Sequence, residues 1–160
     1  SAAICQDYVN LPESEKINLL VTSIKQIGLT NLNTNPLTIE VIATLRAVQA
    51  IHTKNGTDSI ERYVISNTDS IASILEVLWL VHIVNNDSPE DKALKLEIVP
   101  LFETIDDLVN ADQIMETLYN LPLYCENLKA WNQQQTIMYS ASSMPTKAMK
   151  LPIKWLKNGY

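Results

Sequence analysis

Three glycines, Gly28, Gly56 and Gly159, are all that these 160 residues contain, where average usage gives about eleven. Glycine lets backbone approach a phosphate closely, so a glycine-rich phosphate-cradling loop is excluded. Cysteine is scarcer still. Cys5 and Cys125 do not form a spaced metal pattern and read as a reduced pair, which makes a cytoplasmic location the expectation. No apolar run approaches the roughly 20 residues that cross a bilayer, and no signal peptide is visible. Cations are outnumbered, with 12 Lys and Arg against 18 Asp and Glu. The resulting charge of −6 argues against a nucleic-acid surface, so no nucleic-acid partner is expected.

What remains is an ordinary globular composition, 46% apolar and 19% charged, which does not fit disorder. The length fits a single domain over residues 1–160. Ser1-Ala2-Ala3 in place of an initiating methionine reads as an appended start, so a piece of a longer protein is expected.

Helical spacing opens the chain. Residues 12–27 place Ile17, Leu20, Val21, Ile24 and Ile27 on one stripe after Pro12, Glu13 and Glu15, with Gly28 as a stop. A polar connection from Asn31 to Pro36 follows. A second helix runs from Leu37 or Thr38 to His52, with Val41, Ile42, Leu45, Val48 and Ile51 inward. His52 reads as a cation at that helix end rather than a ligand. Together these make a helical lead-in over residues 11–53.

From residue 60 the pattern changes to alternating strands and helices. Asn55-Gly56 makes a turn, Tyr63-Val64-Ile65-Ser66 is a β-favouring run, and Asn67-Thr68-Asp69-Ser70 holds helix-capping types. Ile71 to Ile83 is apolar nearly all round, as helices clothing a parallel sheet are; His82 on it reads as a core or boundary histidine. Asn85 to Pro89 is a loop. Leu96 to Phe102 is a buried strand, Glu103 stands at its carboxyl end, and Thr104 with Asp107 fits a capping box for the next helix. That helix reaches Leu121, where Pro122 limits it; Tyr124 to Lys129 is a further short helix. Thr136 to Ser140 is a third, shorter β-like run. The order over residues 60–142 is βαβαβ, which indicates a parallel sheet with right-handed crossovers.

Glu103 has two readings. The carboxyl end of a parallel strand is where α/β folds place chemistry, which makes it a metal ligand or acid/base. Equally, an acid is simply favoured beside a helix N-terminus. Residues 143–160 form a basic amphipathic tail in which Lys147, Lys150, Lys154 and Lys157 punctuate apolar residues. Pro152 interrupts it, and lysines facing water are expected rather than membrane contact.

Three blocks resemble phosphoenolpyruvate carboxylase: Glu61-Arg62-Tyr63-Val64-Ile65-Ser66-Asn67-Thr68-Asp69-Ser70, Val99-Pro100-Leu101-Phe102-Glu103-Thr104-Ile105-Asp106-Asp107-Leu108, and Ile137-Met138-Tyr139-Ser140-Ala141-Ser142. They stand in the family's order and at similar separations, and Leu11 to His52 resembles the family's preceding helices. The resemblance implies a (β/α)8 barrel that carboxylates phosphoenolpyruvate with bicarbonate, using Mg or Mn. The fold expected here is therefore α/β, a partial (β/α)8 (TIM-type) barrel with about three parallel strands and covering helices, preceded by two helices.

By the same resemblance Glu103 matches the family's glutamate metal ligand. The second metal carboxylate belongs to a Gly-Tyr-Ser-Asp-Ser motif followed by a lysine. Here Ala141 stands where the aspartate is expected and Met144 where the lysine is expected, and Ser73 replaces an acid usual after the first block. The family's catalytic histidine and substrate-gripping arginines have no counterpart, since Arg46 and Arg62 match neither. A hard divalent ion needs oxygen ligands, which a methyl group lacks. The expectation is a truncated or degenerate relative with no catalytic residue and no cofactor of its own, serving a structural or interaction role. The alternative is part of an active carboxylase completed by missing segments. Three strands cannot close a barrel, so an open sheet edge predicts a homo-oligomer.

Overall fold

The computed structural model describes residues 7–24 and 36–140. Gly28, the 31–36 connection, Ala141 and the basic tail fall wholly or mainly outside the described residues, as do Cys5 and Met144. Among the described residues five α-helices and three strands follow in order: α1 (Glu13–Ser23), α2 (Pro36–Asn55), β1 (Arg62–Ile65), α3 (Ile71–Asn86), β2 (Glu97–Phe102), α4 (Ile105–Tyr119), α5 (Pro122–Lys129) and β3 (Met138–Tyr139). The strands form one sheet in the order β1-β2-β3. β2 and β3 pair in parallel, Leu101 with Met138 and Phe102 with Tyr139. β1 runs the same way, because Glu61 and Thr68, before and after it, bond Glu97 and Leu101 in turn. This is an α/β chain with three parallel strands.

It divides into two compact units, 1–63 with 70–98 and 64–69 with 99–160. In the first, α3 packs on α1 and α2. Ile74, Leu78, Ile83 and Val84 of α3 are fully buried, which explains a helix apolar on almost every side. Its end is held by specific bonds. Glu13 Oε1 accepts from the Ile71 amide at 2.8 Å, and the Trp79 indole donates to Ser23 Oγ at 2.9 Å. Asn85 grips Leu94 twice, accepting from its amide at 2.6 Å and donating to its carbonyl at 3.0 Å. These contacts carry α3 to Asn86, past the loop expected from Asn85, because a distant backbone supplies what the local sequence does not.

Three further details differ from the sequence reading. α2 extends to Asn55, where the Gly56 amide donates back to the His52 carbonyl at 2.9 Å. His52, in the last turn of α2 as expected, is buried there rather than facing solvent, and its Nε2 bonds the Ile60 carbonyl at 2.7 Å. β3 is only two residues long, against five expected, and only Met138 and Tyr139 pair with β2. Pro100 sits inside β2, and β3 pairs only from Leu101 onward, so its missing amide costs no bond on that side.

In the second unit α4 packs against α5. Val99, Phe102, Met115, Leu118 and Tyr124 are among its most buried side chains. The Tyr124 hydroxyl donates to Gln135 Oε1 at 2.6 Å, fixing the segment that leads into β3.

Candidate functional site

The site grows from the end of β2. The strand is buried almost throughout, and it delivers Glu103 to the point where the ladder stops. Glu103 is half-buried. The chain then turns at once into α4. Thr104 is the N-cap, and its hydroxyl accepts from the Asp107 amide at 3.1 Å. Asp107 Oδ2 accepts in return from the Thr104 amide at 2.8 Å and from the Glu103 amide at 3.3 Å. The reciprocal box read from the sequence is present. These backbone donors, Thr104 first, hold the Asp107 carboxyl below its usual 3.8 against the opposing effect of burial, because they favour the charged form.

Beside this turn, Thr68 is fully buried and clamps β1 to β2. Its amide donates to the Leu101 carbonyl at 3.1 Å, and its hydroxyl accepts from the Leu101 amide at 3.2 Å while donating to Ile65 at 3.1 Å. Asn67 before it takes φ 55°, which asparagine tolerates better than most residues. On the other side the Ser140 amide donates to the Phe102 carbonyl at 3.1 Å. The β2–β3 register therefore brings the third block to the level of Glu103.

The donor set for a hard divalent cation can be tested on these residues. Such an ion takes six or more oxygens. Glu103 offers one carboxylate, while Asp107 is committed to two backbone amides. Among the described residues no three of His, Cys, Asp and Glu gather to hold a metal. The described donors do not fit Mg or Mn. Ala141 lies outside the described residues, and its methyl group is no ligand wherever it stands.

Other sequence candidates have plain structural roles. Ser73 is the third residue of α3; its amide donates to the N-cap Ser70 Oγ at 3.3 Å and the two hydroxyls bond at 2.7 Å. Arg62 has one conspicuous partner that the sequence reading missed. Its Nε donates to Glu97 Oε2 at 2.9 Å, and Glu97 is buried. Nothing local signals that pair, since 35 residues separate its members. His82 is half-buried on α3. No described helix is long and apolar enough to cross a membrane.

Comparison with known proteins agrees with the three blocks. The family model for phosphoenolpyruvate carboxylase matches residues 1–148. A phosphoenolpyruvate carboxylase of Roseiflexus castenholzii is 34% identical over 148 residues, 89% of this chain and 16% of that protein. One of Aromatoleum aromaticum is 33% identical over 133 residues, 81% of this chain and 14% of that protein. One of Ralstonia nicotianae is 30% identical over 158 residues, 92% of this chain and 16% of that protein. The chain thus spans roughly a sixth of the length of these relatives.

Proposed function

This chain belongs to the phosphoenolpyruvate carboxylase family, and we propose that it is a segment of that family's (β/α)8 barrel which by itself holds structure and does no chemistry. Its role on this reading is to pack against, and be recognised by, other protein. The parallel β1-β2-β3 order with intervening helices supports the barrel assignment. One observation carries the loss of chemistry: the register sets Ser140 beside the end of β2, and the next residue in the chain is Ala141, where the family pattern puts its second carboxylate. With no cluster of three His, Cys, Asp or Glu side chains among the described residues, neither a metal nor a developing enolate is given the charge it needs.

The second reading, a portion of an active carboxylase whose remaining groups come from other segments, is favoured by Glu103 itself. It keeps the strand-end position of a ligand, while Asp107 takes over the helix-capping role. One assay separates the two. Given phosphoenolpyruvate, bicarbonate and Mn or Mg, the chain alone is expected to form no oxaloacetate above background. Turnover that disappears in Glu103→Ala contradicts the proposal.

A further inference from the structure

We propose that the recess between α1, α2 and α3 binds a small organic ammonium ion, a cationic head on a body no larger than one ring. The recess belongs to the first unit alone and is independent of Glu103. Helical spacing builds it. Glu76, Trp79 and Leu80 stand at i, i+3 and i+4 on α3 and so share one face, while Leu37 and Val41 lie one turn apart on α2. With Leu20 of α1 they enclose about 130 Å3, and Glu76 and Thr38 are the polar residues of the wall. Leu20 and Trp79, 1% and 2% exposed, form the floor, whereas Leu37 at the rim is 69% exposed.

Size limits the body of the ligand. An apolar cavity of about 150 Å3 stays dry and takes a benzene ring, so this one admits a single ring or a short branched chain. The leucine, valine and indole surfaces offer such a body dispersion contacts. They offer it no hydrogen bond, since the Trp79 N–H is already donated to Ser23.

Charge selects the head. Glu76 is half-buried and makes no ion pair among the described residues. Lys16, the one cation of α1, lies instead over the Tyr8 ring, 5.6 Å from its centroid. The Tyr8 hydroxyl is buried and makes no hydrogen bond of normal geometry. Burial, and after it the charge of the nearby Glu76, pushes that phenol up. A carboxylate among apolar walls costs free energy until an opposite charge meets it. A neutral ligand leaves that cost in place, and a cation removes it.

Benzylammonium is the probe, and benzyl alcohol its neutral counterpart of equal size. Each is titrated into the whole chain at neutral pH while the Trp79 indole resonance is followed by NMR. The expected result is a saturable shift with benzylammonium and several-fold weaker binding of the alcohol. Glu76→Gln, close in shape at a half-buried position, should erase that preference. Val41→Phe, which fills the recess, should abolish both; where that variant fails to fold, the Glu76→Gln comparison decides. Absence of a saturable shift with benzylammonium overturns the proposal. So does equal affinity for amine and alcohol, or a preference that Glu76→Gln leaves unchanged.

Discussion

Thr104 and Asp107 are the residues at which local chemistry is most fully expressed. Each satisfies an amide that the start of α4 leaves without a helical partner, which is the reason such pairs recur at helix beginnings. Thr104→Ala removes one acceptor and is expected to cost about 1 kcal/mol in urea unfolding. Asp107 adds a pH dependence. Its folded-state carboxyl titrates below the unfolded value because the Thr104 amide stabilises the charged form. Its contribution is therefore complete above the unfolded value near 4 and fades as pH falls through the lower folded one. Asp107→Asn should flatten the acid limb of stability below about pH 4 relative to the parent; an unchanged acid limb refutes that role. This box was legible because three residues suffice to encode it. The Arg62–Glu97 pair and the Thr68 clamp were not, since each depends on β1 and β2 becoming neighbours.

Among elements, the helices and the central strand were readable and their ends were not. β2 declares itself by a continuous apolar run, and α3 by being apolar on nearly every side. α3 nevertheless extends through Asn85 because Leu94 completes that side chain's bonds, a partner nine residues away that no capping rule names. β3 carries too little apolar pattern to fix its length, and both of its residues are exposed. The junction after α2 depends on one glycine. Gly56 lies at φ 89°, ψ 160°, a region that essentially only glycine occupies. A Cβ there meets nothing within 4 Å, so any cost of Gly56→Ala is backbone strain and not collision. Thermal unfolding should show a loss of about 1–3 kcal/mol; a neutral substitution would mean that the turn simply rearranges.

At the scale of the whole molecule, the fold class and the family were both legible, the first in alternating periodicity and the second in three motif blocks. The site was legible only as a resemblance, because a metal ligand is defined by what faces it, and Glu103 looks locally like any acid at a helix start. The sheet order leaves β1 and β3 as edges, with Met138 and Tyr139 exposed on the latter. Edges of that kind pair or are covered, so light scattering after size exclusion is expected to give the mass of a dimer, about twice 18.0 kDa. A monomer at high concentration refutes self-association.

The proposed loss of a second metal carboxylate is tested most directly by calorimetric titration of Mn into the chain beside Glu103→Ala. The account predicts indistinguishable isotherms, neither showing a site tighter than about 1 mM, the range of weak sites. A saturable, tighter site in the parent that vanishes with Glu103 would contradict it, since some other oxygen donor would then be completing the site in place of Ala141.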